Sequence, residues 1–218
     1  MQLWSLWIEG IRSVLHALSS DLGLGIGLGI IALTLAIRLG LLPLTWPVAY
    51  RGVIRQKKMA RLQPQLKFLK DEFGHDPKAY AAALQKFCAE HGLSLADARS
   101  IFGLIAQAPV LLGMYRVFRD SANAGPFLWI KDLAKPDLGI ALLVGLTAAI
   151  LMAANPDLPE QLRLLLIAAP AIIAVIMALK LCSALAVYFA VSNGFSAAQT
   201  YWLHTVVARR MRSGALVI

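Results

Sequence analysis

Long stretches that carry almost no charge, each close to the length needed to cross a lipid bilayer, divide the sequence. A bilayer core of about 30 Å requires roughly 17 to 25 apolar residues in one helix. Apolar residues make up 59% of the 218 residues and charged residues only 15%, which is outside the range of soluble globular proteins. Five segments come close to the required length: 22–46, 101–118, 138–154, 164–179 and 181–204. The sequence therefore predicts an all-α polytopic membrane protein with five transmembrane helices.

The last two segments have only Lys180 as a charged residue between them. As one helix, the chain from 164 to 208 would reach about 68 Å at about 1.5 Å per residue, roughly twice the membrane thickness. Two spans separated by a tight turn at Lys180 are therefore predicted.

Lysine and arginine residues concentrate on one side of the predicted spans, mainly in 51–99 and 209–212. Loops rich in Lys and Arg stay in the cytoplasm. We therefore expect the N-terminus outside, the C-terminus inside, and a short basic cytoplasmic tail at 205–218.

The net charge of +9 could also suggest nucleic-acid binding, but the sequence has neither finger spacing nor interleaved basic and aromatic residues.

Residues 1–21 have apolar side chains at helical spacing, including Trp4 and Trp7, with Glu9 and Arg12 elsewhere around the helix. This pattern predicts an interfacial amphipathic helix on the outer membrane surface. A helix packed on the protein itself is the alternative.

Residues 47–100 are too polar for lipid but show two runs of helical periodicity, which predict a cytoplasmic antiparallel helical hairpin. Between the runs, Asp76 is a predicted N-cap and Pro77 the first helical residue. Because proline inside a helix costs about 3 kcal/mol, we expect a kink or a late helix start at Pro64.

Arg38 is the one charged residue inside the first predicted span, 22–46. A charge near mid-membrane costs about 2.5 to 3.5 kcal/mol on insertion scales, so such residues face protein or water. Thr34 and Thr45 share its helix face, and the last span carries a polar stripe. These patterns predict a wet groove, with interhelical hydrogen bonding and snorkelling of Arg38 to the interface as alternatives. The stripe comprises Tyr188, Ser192, Ser196, Gln199 and Thr200.

Enzymatic motifs are weak, so catalysis is not expected. Cys88 and His91 supply only two possible metal ligands, and the other histidines have no metal-binding spacing. The alternating glycines 23, 25, 27 and 29 precede no Gly-Lys-Ser/Thr sequence, so they do not form a phosphate-binding loop. No cofactor or metal is predicted.

Several motifs in their order along the chain resemble those of the YidC/Oxa/Alb family of membrane protein insertases. The resemblance covers nearly the whole chain, beginning with Leu33–Thr45 around Arg38 and Gln56–Pro64. Further matches are Asp76-Pro77, Glu90-His91-Gly92, Gln107-Ala-Pro109-Val, Tyr115, Phe127-Leu-Trp129-Ile-Lys-Asp132-Leu, Val187-Tyr188 and Ser192-Asn193.

The resemblance implies a five-helix core, 22–46 with 101–204, that encloses a hydrophilic groove in the bacterial inner membrane. Arg38 matches the family's groove arginine, which is thought to attract acidic parts of incoming membrane proteins. Groove or substrate-contact positions match Thr34, Gln107, Tyr188 and Phe189. The basic residues of the predicted substrate-receiving hairpin are Arg51, Arg55, Lys57, Lys58 and Arg61.

The function predicted on this basis is insertion of small membrane proteins, and assistance with their folding, without a nucleotide. Implied partners are nascent or newly made membrane proteins and membrane lipids, with the Sec translocon, the ribosome or the signal recognition particle pathway. A small anion or lipid transporter that uses Arg38 is the alternative function, and a purely structural assembly subunit is the third.

Overall fold

A computed structural model describes residues 2–92, 109, 111–118 and 126–215, and every regular element in these ranges is a helix. A π-helical turn, Ala17–Asp21, follows the first helix, and a short 3-10 helix, Glu160–Leu162, precedes the helix that begins at Arg163. The all-α prediction is confirmed. In chain order the helices are α1 (Gln2–His16), α2 (Gly25–Phe73), α3 (Pro77–Glu90), α4 (111–118), α5 (Leu138–Ala153), α6 (Arg163–Ala178) and α7 (Ser183–Arg212).

Helices α5 and α6 have the bounds that their apolar segments predicted, to within about one residue. The turn at Lys180 is also confirmed: the Lys180 amide donates to the Met177 carbonyl at 3.0 Å, and Leu181 donates to Ala178 at 3.2 Å. Of the predicted span 101–118, only residue 109 and α4 fall within the described residues.

Two described helical stretches are long and apolar enough to cross a membrane: α2 (Gly25–Phe73), and the 3-10 helix together with α6 (Glu160–Ala178). Helix α5 (Leu138–Ala153) is apolar but shorter. Helix α6 exposes large apolar side chains such as Leu164 and Ile173, as expected for a surface in contact with lipid. The count of five spans stays a prediction.

Helix α2 is continuous over 49 residues, so no helix boundary separates the first predicted span from the predicted hairpin. Pro64 lies well inside α2, and the expected late helix start at this proline is wrong. The residues around it are mostly good helix formers, from Gln56 to Lys70, which favour continuation of the helix on both sides.

The turn after α2 has the predicted chemistry. The Gly74 amide donates to the Lys70 carbonyl at 2.8 Å, which ends α2. Asp76 Oδ1 then accepts hydrogen bonds from the amides of Lys78 at 2.9 Å and Ala79 at 3.3 Å, with proline as the first residue of α3. The predicted N-cap and N1 proline are confirmed.

The chain divides into two compact units, and the first comprises Met1–Leu44 with Ala106–Trp202. Buried side chains of α2, α4, α5 and α7 form its core, together with Ile11 and Leu15 of α1. Trp7 Nε1 also donates a hydrogen bond of 3.2 Å to the Pro109 carbonyl. One face of α1 therefore packs on the protein, while Leu6 on its other face is 64% exposed.

The second unit comprises Thr45–Ile105 with Leu203–Ile218. Val53 of α2 packs against Leu203 and Val207 of α7, and all three side chains are buried. Where the sequence predicted a basic tail from 205 onward, the structure has α7 continuing as a helix to Arg212. The apolar spacing of Leu203 and Val207 accounts for this continuation, because both residues face α2.

Candidate functional site

Arg38 lies on α2 about 20 Å from the start of this helix at Gly25, at about 1.5 Å per residue. Its side chain is partly buried, and its Nε donates a hydrogen bond of 3.4 Å to Ser192 Oγ on α7. Ser192 is 2% exposed, so the hydroxyl that receives this bond is almost closed to solvent. The predicted arginine on α2 and the predicted polar stripe on α7 therefore meet.

Tyr188 precedes Ser192 by one helical turn and is also buried, with 3% of its surface exposed. Both residues are on the face of α7 that meets Arg38. The ring of Tyr188 contacts the half-buried Phe189 edge to face, with centroids 5.5 Å apart and planes at 63°. The structure thus brings Arg38 and Tyr188 together, with Phe189 beside them.

Thr34 is one turn before Arg38 on α2 but has no exposed surface. Its Oγ1 donates a hydrogen bond of 2.6 Å to the Ile30 carbonyl of the same helix. A buried threonine commonly satisfies its hydroxyl in this way when the surroundings are apolar. Gln107, the other predicted groove residue, lies outside the described residues.

Ser192 belongs to the predicted polar stripe but is not one of the predicted groove residues. The available signal was its position one turn after Tyr188, on the same face of α7. What the sequence could not supply was the register of α7 against α2, which makes Ser192 the hydrogen-bond acceptor of Arg38.

The chemistry of this cluster is that of a cation with neutral neighbours. A guanidinium has five N–H donors in a planar fork that matches a carboxylate or a phosphate. Within the described part of the chain, no carboxylate pairs with Arg38. The same ranges contain no group of three or more His, Cys, Asp or Glu side chains that could hold a metal ion. The cluster is therefore suited to attract an anionic group.

The predicted substrate-receiving residues all lie on α2 within the second unit, upstream of the turn at Gly74. Arg51, Arg55 and Lys58 share one helix face, at positions i, i+4 and i+7. Arg51 and Arg61 are exposed, while the other three are partly buried. In the same unit, Arg210 Nη1 donates to Tyr50 Oη at 3.1 Å, and its guanidinium lies 5.5 Å from the centre of the Tyr50 ring.

Curated relatives of this chain carry the name membrane protein insertase YidC. The chain is 30% identical to the one from Chlorobium luteolum over 181 residues, which cover 74% of this chain and 30% of the relative. It is 27% identical to that of Chlorobaculum parvum over 78% of this chain and 32% of the relative. For Clostridium tetani the identity is 33%, over 56% of this chain and 53% of the relative.

The chain thus spans about a third of the length of its Chlorobium and Chlorobaculum relatives. The family model described as 60Kd inner membrane protein matches residues 17–210, which include all of the Arg38 cluster. From the extent of this match, the chain belongs to the 60Kd inner membrane protein family, the YidC/Oxa/Alb family.

Proposed function

We propose that the protein is a membrane protein insertase and chaperone, which inserts small membrane proteins through a hydrophilic groove and helps them fold. The observation that carries this proposal is Arg38, a cation inside an apolar helix whose hydrogen-bond partner is the neutral Ser192. The names of the relatives support the same function.

Arg38 serves as a temporary counter-charge for an acidic segment of the incoming polypeptide. Placing one charged residue in the membrane centre costs about 2.5 to 3.5 kcal/mol on insertion scales. A guanidinium that binds a carboxylate through two hydrogen bonds offsets much of this cost. Since about 1.4 kcal/mol changes a rate tenfold, full compensation would accelerate insertion roughly a hundredfold.

The neighbours of Arg38 have different proposed roles. Tyr188 and Phe189 form a paired aromatic surface for apolar parts of the substrate, and Gln107 adds a polar group to the groove. Thr34 is buried, and its hydroxyl is bonded to the Ile30 carbonyl of its own helix. Its proposed role is therefore to support the site from the core and not to contact the substrate.

The proposed topology has the N-terminus outside and the C-terminus in the cytoplasm of a bacterium, with the protein in the inner membrane. Newly made membrane proteins arrive from the cytoplasmic side, where the basic face formed by Arg51, Arg55 and Lys58 receives them. Surrounding lipids are further partners, and the Sec translocon, the ribosome or the signal recognition particle pathway delivers the substrate.

Complementation of a bacterium depleted of its own insertase tests the function. Wild-type protein is expected to restore insertion of a small single-span protein that has an acidic translocated segment, whereas Arg38→Ala is expected not to. Arg163→Ala, which removes an exposed arginine at the start of α6, is the matched control and should behave like wild type. Failure of the wild-type chain to restore any single-span substrate would overturn the proposal.

A photoreactive residue at Phe189 separates insertion from small-anion or lipid transport. Insertion predicts crosslinks from this position to a nascent membrane protein, but none from Ile172, an exposed position on α6. Transport predicts instead that purified protein in liposomes moves anions or lipids in an Arg38-dependent way, without polypeptide crosslinks.

A further inference from the structure

A tight turn in the segment before α5 exposes two large apolar side chains at its tip. Phe127 and Ile130 exchange two backbone hydrogen bonds of 2.9 Å, which leaves Leu128 and Trp129 at the tip. Leu128 is 73% exposed and Trp129 is 56% exposed. In water, such exposure costs about 25 cal/mol for each Å² of apolar surface.

The backbone of Leu128 makes this exposure unusual. Its φ is +53°, in the left-handed region, and this conformation costs a non-glycine residue about 1 kcal/mol or more. Glycine, asparagine or aspartate would form such a turn at lower cost and would be better hydrated. If the turn contacted only water, glycine, asparagine or aspartate at position 128 would therefore be more favourable than leucine.

The base of the turn is fixed to the rest of the first unit. The Phe127 ring occupies the space beside Gly27 of α2 where a Cβ would otherwise lie. Leu133 is fully buried, and its carbonyl accepts a hydrogen bond of 3.0 Å from the amide of Ala184. Ser183 Oγ donates to the Lys135 carbonyl at 2.6 Å. The tip therefore projects from a rigid base that joins α2 and α7.

Trp129 has its polar atom satisfied within the protein. The indole Nε1, its only hydrogen-bond donor, donates to Asp137 Oδ1 at 3.1 Å. The exposed part of the side chain is therefore the apolar ring. Tryptophan, whose ring is apolar apart from one N–H group, is enriched at membrane interfaces.

The tip also continues the apolar surface of α5. Asp137 is the N-cap of this helix, and the exposed side chains of Leu138 and Leu142 follow it. With 16 residues α5 is about 24 Å long, which is shorter than the bilayer core of about 30 Å. Leu128 and Trp129, which lie beyond the start of α5, are thus at the depth where the hydrocarbon meets the headgroups.

We propose that Leu128 and Trp129 insert into the lipid bilayer at the interface where α5 begins and anchor the turn there. The lipid supplies the apolar surroundings that the two side chains lack in the protein. Because the base of the turn is bonded to α7 and packed on α2, this anchor also sets the depth in the membrane of the helices that carry Ser192 and Arg38.

Site-directed fluorescence on the full chain tests the anchor. Leu128→Cys is labelled with an environment-sensitive dye after replacement of Cys88 and Cys182 by alanine. The protein is reconstituted in vesicles of phosphatidylethanolamine and phosphatidylglycerol that carry nitroxides either at the headgroup or deep in the acyl chain. Leu142→Cys is the control for deep lipid contact, and Lys78→Cys on the polar helix α3 is the control for water.

The label at position 128 is expected to emit at shorter wavelength than the label at 78 and to be quenched most by the headgroup nitroxide. With iodide present on both sides of the membrane, it is also expected to resist quenching more than the label at 78. Spin-label accessibility to oxygen and to a water-soluble nickel complex provides an independent measurement at the same position. Iodide quenching equal to that at position 78, or protection that arises only when another membrane protein is added, would overturn the proposal.

Discussion

Arg38 Nε donates a hydrogen bond of 3.4 Å to Ser192 Oγ and so links α2 to α7 across 154 positions of sequence. The acceptor is neutral and almost fully buried, while the donor keeps its charge and the rest of its N–H groups. The bond therefore orients the guanidinium without neutralising it, which is what a site for an incoming anionic group requires.

Ser192→Ala is predicted to weaken insertion less than Arg38→Ala does, because it removes the orienting bond and leaves the charge. Interhelical hydrogen bonds in membranes contribute about 0.6 to 1.7 kcal/mol, which corresponds to roughly a three- to twentyfold loss of rate. Insertion of a single-span substrate in reconstituted vesicles gives the measurement. Ser13→Ala, which changes an exposed serine of α1, is the control. Wild-type rates for Ser192→Ala would show that the bond has no role.

Gly145→Ala is predicted to destabilise the packing of α5 on α6. A Cβ at position 145 would overlap Val175 Cγ2 and lie 3.2 Å from the Ala171 carbonyl oxygen. Overpacking of this kind costs about 1 to 3 kcal/mol. The free energy of unfolding in mixed micelles should fall by this amount and recover partly when Val175→Ala is added.

Gly194→Ala is the matched control for the α5–α6 interface. Nothing lies within 4 Å of a Cβ at this position, and the residue is inside a helix of the same unit. Alanine there should raise stability by about 0.5 to 1 kcal/mol. Equal stability of the two alanine variants would contradict the close approach of α5 and α6.

Asp76→Ala is predicted to loosen the start of α3, because the carboxylate accepts hydrogen bonds from the amides of Lys78 and Ala79. Loss of such a cap typically costs about 1 kcal/mol. Hydrogen exchange in the first turn of α3 should accelerate accordingly. Asp76→Asn, which keeps a capping oxygen, should retain most of the protection, and an unchanged exchange rate for Asp76→Ala would contradict the cap.

Features determined by local chemistry were the ones that the sequence predicted well. The bounds of α5 and α6 follow from where charge stops and resumes, and the start of α3 follows from Asp76 and Pro77 alone. These signals need no knowledge of the rest of the fold, since caps and apolar length act within one helix.

Features that depend on packing were not predictable in the same way. Pro64 has a strong local preference against a helix interior, yet α2 passes through it. Thr34 shares a helix face with Arg38 but is closed off in the core. The burial of Thr34 depends on neighbouring parts of the fold, as does the pairing of Arg38 with Ser192, and periodicity in one helix does not report which helix lies opposite. The helix continues through Pro64 because good helix formers lie on both sides of it.

Acid is predicted to loosen the start of α5 through Asp137. The amide of Ile140 and the indole of Trp129 donate hydrogen bonds to its carboxylate, and these bonds hold the pKa of Asp137 below its ordinary value of 3.8. A lowered pKa stabilises the fold fully above the ordinary value, and this contribution disappears as the pH falls through the lowered one. Hydrogen exchange across 126–142, corrected for the intrinsic effect of pH, should therefore accelerate in acid for wild type but not for Asp137→Asn, whose amide oxygen does not titrate. Identical acid profiles for the two proteins would contradict the role of this carboxylate.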